Sequence, residues 1–273
     1  MKKIVFTDLD RTLFTQDSQI SQRNYDSLVK LGQAGIIRVI VTGRNLYSAQ
    51  SVLPSDFPID YLVISSGAGI IDFKTQKLIT KNEIDNKLVR RVILFLQELD
   101  VDFMIHHPIP QNHFFHYYKA TNPCRDSAKR INHYQGFAYE IKGEYDQNAS
   151  QLLAIVEEDK EDLVEHVIEN LPDLSIIRAT SPLDHKSVWI EIFPKGINKG
   201  YACNKLLSDL GLATSQALAI GNDYNDIAML ESFTDSYVVG NAPQIMKDIY
   251  KLVARDRDDG FTEMLSKHFN FIK

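Results

Sequence analysis

The sequence predicts an α/β fold, a doubly wound parallel sheet with helices on its faces, interrupted once by a long α+β insertion. Three observations carry this expectation. Short apolar runs rich in β-branched residues recur along the chain and end abruptly in small or polar residues. Helical patterns separate them. Between residues 82 and 190 the alternation gives way to a segment in which strands outnumber helices. Continuous apolar runs suit strands buried on both faces, and strands alternating with helices assemble parallel sheets.

In order, the core strands are expected at "KIVFTD" (3–8), "IIRVIVTGR" (36–44), "YLVISSG" (61–67), "QALAIGND" (216–223) and "DSYVVGN" (235–241). A helix is expected over 21–34, with Ser21 as its cap, Tyr25, Leu28 and Leu31 on one side, and Gly35 as its stop. A second, over 198–210, opens at Asn198, places Ala202, Leu206 and Leu210 on one face and ends at Gly211. The insertion offers a helix near 85–99 and the strand patterns "VDFMIH", "HFFHYY", "FAYEIK" and "QLLAIVE". A helix near 159–171 and the strands "LSIIRA" and "SVWIEIF" follow. Several of these strands alternate, as in an antiparallel sheet with one face covered by two helices. The expected division is a core of residues 1–81 and 191–273 and an inserted domain of residues 82–190.

Bulk properties narrow the function. With 273 residues the chain can bury a large core. A formal charge of −6 argues against a nucleic-acid or anionic-membrane surface as the main partner. Two cysteines, Cys124 and Cys203, are too few for a disulfide framework or a zinc cluster. "MKK" runs straight into "IVF" and then acidic residues, without the apolar stretch of a signal peptide, and no run approaches a transmembrane length. A cytoplasmic location is the default expectation.

Ligands of open α/β sheets bind beyond the carboxyl ends of the strands. The first strand ends in Asp8-Leu9-Asp10, the second in Thr42-Gly43-Arg44, and the fourth in Gly221-Asn222-Asp223, with Asn225 and Asp226 following. Lys199 opens the helix at 198. Two carboxylates one residue apart at the end of a buried strand are costly unless a cation sits between them. Carboxylates, a hydroxyl, an amide and an ammonium at one sheet edge describe a site for a divalent cation and a phosphate.

"DLDRTL", "VTGR", "INKG" and "GNDYND", in that order, resemble the four motifs of the haloacid dehalogenase (HAD) superfamily of phosphohydrolases. The insertion between the second and third resembles the Cof-type, sucrose-phosphatase-like branch of sugar phosphatases, subclass IIB. The resemblance implies a HAD-like Rossmannoid core with an inserted α+β cap of type C2B. It also implies a Mg²⁺-dependent phosphatase acting on a small phosphorylated metabolite, a sugar or polyol phosphate, through an aspartyl-phosphate. Asp8 would be the nucleophile and Asp10 the acid and base that serves the leaving alcohol. Asp8, the Asp10 carbonyl, Asn222 and Asp223 would hold the metal. Thr42, Lys199, Asn225 and the backbone near Leu9 and Gly43 would bind phosphate, with Arg44 touching substrate or forming a surface pair. Asp226 would orient Lys199 or a metal-bound water. A phosphomutase on the same scaffold, or a non-catalytic metabolite-binding regulator, are the rival readings.

Three positions depart from the family pattern. Arg11 stands where Gly is usual, Asn222 where the first acidic residue of the fourth motif is usual, and Ser66 where Asn commonly precedes Gly-Ala. Lys195 is the rival to Lys199. In the insertion, His106, His107, His113 and His116 are expected to be structural, since alternating positions face opposite ways. Trp189 is expected to pack, and Arg125 and Lys129 to lie in a loop from which they could reach substrate.

Overall fold

A computed structural model describes residues 1–272. Its strands are β1 (Ile4–Thr7), β2 (Ile37–Val41), β3 (Tyr61–Ile64), β4 (Gly69–Asp72), β5 (Lys77–Lys81), β6 (Asp102–His106) and β7 (Phe115–Tyr118). They continue as β8 (Ala138–Glu140), β9 (Gln151–Val156), β10 (Leu174–Thr180), β11 (Val188–Pro194), β12 (Ala217–Gly221), β13 (Ser236–Val238) and β14 (Lys251–Leu252). The chain groups into two compact units. One holds Met1–Arg44, Ala49–Thr80 and the residues from Asn198 onward; the other holds Asn45–Ser48 and Lys81–Ile197.

In the first unit the strand order is β14-β13-β12-β1-β2-β3-β4-β5. From β14 to β3 all pairs are parallel, and β4 turns back antiparallel on β3. The strands β4, β5 and β14, which apolar patterning did not predict, lengthen the sheet at its two margins. β14 is two exposed residues, and β5 alternates exposed and half-buried positions, so neither shows a continuous apolar run. Phe6 of β1 stacks on Phe233 at 5.3 Å, within a cluster that includes Val39, Val41, Ala202, Leu206 and Ala219. Each Val, Leu or Phe side chain of this cluster fully withdrawn from water contributes about 1.5–3 kcal/mol. β1 lies between β12 and β2 in register, Thr7 opposite both Ile220 and Ile40. The residues that follow the three strands, Asp8, Asn222 and Thr42, therefore emerge side by side.

The second unit is a six-stranded sheet in the order β10-β11-β9-β6-β7-β8, antiparallel except for β7 and β8. Helices Asn86–Glu98 and Leu163–Asn170 cover one face, burying Val89, Val92, Leu96, Val164 and Val167 against Phe103, Ile105, Leu152 and Ile190. The boundary placed at 190/191 falls inside β11. That strand pairs with β10 from Val188 to Pro194, so the unit runs on to Ile197.

The other face corrects the sequence reading. A third helix, Arg125–His133, lies where a loop was expected, and Arg125 and Lys129 sit on its exposed side. Its apolar residues are only Ala128 and Ile131, while Asp126 and Ser127 are among its buried positions. It is tied down by polar contacts. One Asp126 carboxylate oxygen accepts the Ser181 hydroxyl at 2.7 Å and the Trp189 indole N–H at 2.8 Å. The helix's buried positions hold polar side chains, so a search for recurring Leu, Ile or Val passes over it. No helix among the described residues is long and apolar enough to cross a membrane.

Candidate active site

Asp8 follows β1 directly and is 5% exposed. Its backbone N–H continues the ladder to the Ile220 carbonyl, which fixes the carboxylate at the sheet edge. Lys199 is the first residue of helix Lys199–Asp209, entered through Asn198, whose side-chain oxygen accepts the Tyr201 N–H at 2.8 Å. A cation at a helix N-terminus opposes the macrodipole, yet Lys199 is fully buried there. Two carboxylates account for it. Its ammonium donates to Asp8 Oδ1 at 2.7 Å and to Asp226 Oδ1 at 2.6 Å. The other oxygen of Asp226 accepts the backbone N–H groups of Asn222 (2.7 Å) and Asp223 (3.1 Å).

Two glycines permit this packing. Gly67, at φ +107°, brings the turn after β3 against the Asn198 carbonyl, which a Cβ would meet at 2.2 Å. A Cβ on Gly221 would lie 2.6 Å from the Asp226 carboxylate. The lysine and its aspartate are thus set by close backbone approach as well as by charge.

Electrostatics follow from burial. Loss of hydration, then the negative charge of Asp226, push the Asp8 carboxyl up to about 7 against the pull of Lys199, and Asp10 adds to the rise. Burial would draw Lys199 down, but Asp226 and Asp8 outweigh it and hold the ammonium protonated. With both buried carboxylates ionised, the one cation between them leaves an excess of negative charge, which a further cation would balance.

Asp10 is half-buried and gripped by Arg44, whose Nε and Nη2 reach its oxygens at 2.8 and 2.6 Å. Of the two expectations for Arg44, a charged pair is therefore observed, and its partner is Asp10. Thr42 is buried; its N–H bonds the Val63 carbonyl and its hydroxyl accepts the Arg44 N–H at 3.1 Å. Gly43 is half-buried between them, and Leu9 is sealed in the core. Asn222, Asp223 and Asn225 line a half-buried turn ahead of helix Ile227–Glu231. Lys195 is exposed, lies in the second unit and donates to the Pro172 carbonyl. His106 is buried with Nδ1 2.8 Å from the Asn112 carbonyl, while His107 and His116 face each other at 3.3 Å. No group of three or more His, Cys, Asp or Glu side chains among the described residues is arranged to hold a metal.

The sequence pattern of the haloacid dehalogenase-like hydrolases matches residues 5–265. The chain belongs to that family. Among its relatives, the 5-amino-6-(5-phospho-D-ribitylamino)uracil phosphatase YwtE of Bacillus subtilis is 24% identical, with 94% of each chain covered. An HMP-PP phosphatase of Citrobacter koseri is 26% identical over 91% of this chain and 88% of its own. The solved structure of the subclass IIB sugar phosphatase BT4131 matches over 100% of each chain, with a TM-score of 0.78 and 19% identity, a likeness of fold.

Two of the three departures of this hydrolase from the family pattern, Arg11 and Ser66, fall where the backbone is left-handed. Arg11 adopts φ +60° and its carbonyl accepts the Asn241 side-chain amide at 2.8 Å. The left-handed conformation is the one glycine takes freely, so the usual glycine suits this turn and the arginine bears its strain. Ser66, buried at φ +50°, occupies the same region, which asparagine tolerates better than most residues. Sequence reasoning left Arg44 open between a substrate contact and an ion pair and did not name Asp10 as its partner, since spacing alone does not choose between them. It also missed Arg130, which lies on the helix that patterning did not predict.

Proposed function

We propose that this hydrolase is a Mg²⁺-dependent phosphatase that cleaves a small phosphorylated metabolite, a sugar or polyol phosphate, through an aspartyl-phosphate on Asp8. The observation that carries the reading is the buried Lys199 bridging Asp8 and Asp226 at the carboxyl edge of a parallel sheet. A carboxylate attacking an anionic phosphoryl group needs positive charge beside it, and Lys199 supplies one such charge. Magnesium suits the excess negative charge and the oxygen-only donors available: the Asp8 carboxylate, the Asp10 carbonyl, the Asn222 amide oxygen and Asp223. When bound, it supplies Lewis-acid charge neutralisation.

The protein's own groups then divide the chemistry. The Asp8 carboxylate forms the bond to phosphorus as the ester P–O bond breaks, and Asp10 delivers a proton to the departing alkoxide. Asp10 next takes a proton from the water that attacks the aspartyl-phosphate, releasing inorganic phosphate and restoring Asp8. Thr42 and the amides near Leu9 and Gly43 bond the transferring oxygens, and Asn225 assists. For this cycle Arg44 must yield a carboxylate oxygen of Asp10, turning toward the substrate anion as it arrives. The inserted unit is read as the cap that selects the substrate.

A screen of phosphorylated metabolites with Mg²⁺ tests the proposal, run beside Asp8→Asn and Asp10→Asn. Asp8→Asn is expected to abolish turnover. Asp10→Asn should slow alkyl esters far more than aryl or acyl phosphates, whose leaving groups need less protonation. Turnover that survives Asp8→Asn would overturn the mechanism, and equal losses on both ester types would remove the acid–base role of Asp10.

A further inference from the structure

Helix Arg125–His133 turns an arginine toward the sheet of the second unit. Arg130 follows Asp126 by one turn and precedes Tyr134 by another, on the buried side of the helix. Its guanidinium lies over three aromatic rings, with centroids at 4.6 Å for Trp189, 5.1 Å for Tyr134 and 5.9 Å for Phe115. All three rings are buried. Trp189 is itself held by its indole N–H on Asp126, so one carboxylate anchors the ring that carries the guanidinium.

What Arg130 lacks is an acceptor. Its Nε is buried without a hydrogen-bond partner, and no carboxylate among the described residues lies within ion-pair distance. Glu191 and Asp126 attract it only from further off, and loss of hydration pulls it below the usual arginine range. The residue as a whole is half-buried rather than sealed. Next to it, His106 keeps Nε2 buried and unpartnered, with the positive charge of Arg130 among the causes that hold the ring neutral. Ring faces alone replace a guanidinium's hydrogen bonds poorly, because five N–H donors in a fixed plane are shaped for an oxyanion.

We infer that Arg130, framed by Trp189, Tyr134 and Phe115, is a receptor for an oxyanion, a carboxylate or phosphoryl group other than the one being hydrolysed. Two sources share that chemistry: a second acidic group on the substrate, or a separate anionic effector. The first rests on the phosphatase reading above; the receptor itself does not.

Trp189 is the only tryptophan of the chain and lies under the guanidinium, so it reports on the site directly. The intact protein is titrated with inorganic phosphate, phosphoglycerate and glycerol phosphate while tryptophan fluorescence is followed. Wild type is compared with Arg130→Met, which fills the aromatic frame without charge, and with Arg130→Lys, which keeps the charge but loses the planar fork. A saturable change that Arg130→Met abolishes and Arg130→Lys weakens on the order of tenfold supports the receptor. A response identical in all three folded proteins, or none to any anion, overturns it.

A kinetic arm separates the sources through the ratio of kcat/KM for phosphoglycerate over glycerol phosphate. A fall in that ratio of about tenfold or more in Arg130→Met assigns the anion to the substrate. A ratio that stays constant beside a lost fluorescence response assigns it to an effector. If no ester is hydrolysed by any variant, the phosphatase reading fails while the fluorescence arm still decides the receptor.

Discussion

Replacing Asp226 by asparagine keeps the side-chain shape and removes one acceptor. Three donors converge on this carboxylate: the Lys199 ammonium on one oxygen, and the Asn222 and Asp223 amides on the other. An amide offers a single oxygen, so in either orientation its NH₂ must face a donor. If that oxygen serves Lys199, two backbone N–H groups lose their partner; if it serves them, NH₂ meets ammonium. Hydrogen bonds to charged groups contribute about 1.5–3 kcal/mol each, and breaking a buried ion pair costs about 3–5 kcal/mol. Part of this is returned, because Asp226 is the second-ranking cause of the raised Asp8 value and its repulsion disappears. The net expected loss is about 3 kcal/mol, or roughly 6–12 °C in melting temperature for a chain of this size. Thermal and denaturant unfolding without added metal measure it, with Lys199→Met and the double variant completing a cycle. The double variant should be less damaged than the sum of the singles by more than about 1 kcal/mol, since each single strands a charged or donor group that the other removes. A loss under about 1 kcal/mol, or additivity, would refute the claim that Asp226 holds the buried lysine.

The raised Asp8 value has a sign that can be checked. In the unfolded chain this carboxyl titrates at 3.8 and in the fold at about 7, so its contribution to stability is complete below pH 4 and lost as pH rises through 7. In EDTA, stability should therefore fall over that window by up to about 1.4 kcal/mol per pH unit, a slope absent in Asp8→Asn. Mg²⁺ should raise the melting temperature more at pH 8 than at pH 5; equal shifts would count against a cation beside Asp8. His106 runs the other way. Burial first, and Arg130 second, depress it from 6.5 to about 3, so its contribution is complete above pH 6.5 and lost as pH falls toward 3. His106→Phe should flatten the acid limb of the unfolding profile, and an unchanged limb would remove His106 as its cause. Arg11→Gly should relieve left-handed strain of about 1–2 kcal/mol, offset in part by the greater freedom of glycine in the unfolded chain. A gain of about 0.5–1 kcal/mol is expected by denaturant unfolding; a loss above 1 kcal/mol would show that the Arg11 side chain holds contacts that outweigh the strain.

The sequence was most informative where burial is two-sided. β1, β2, β3 and β12 are mostly apolar and mostly buried, with Arg38 the one charged interruption, so their ends, and with them Asp8, Thr42 and Asn222, were legible from the sequence. Lys199 was legible for a similar reason, because an ammonium at a helix start implies a compensating anion. The margins of the sheet were not, because two exposed residues in β14 carry no pattern. Helix Arg125–His133 stayed hidden because Asp126, Ser127 and Arg130 occupy positions where periodicity looks for Leu or Val. The hold of Arg44 on Asp10 was open for another reason: a flexible cation one residue past a turn has several anions within reach, and the packing of the folded chain chooses among them.

The entombment of Lys199 also bears on its chemical inertness. Acylating and carbamylating reagents need an amine that is both accessible and free of its proton, and this one is neither while the chain stays folded. Exposed lysines such as Lys195 would take up such damage first, like a sacrificial coat. The residue on which the phosphatase reading leans hardest is thereby the one that ageing in a reactive metabolite pool would spare longest.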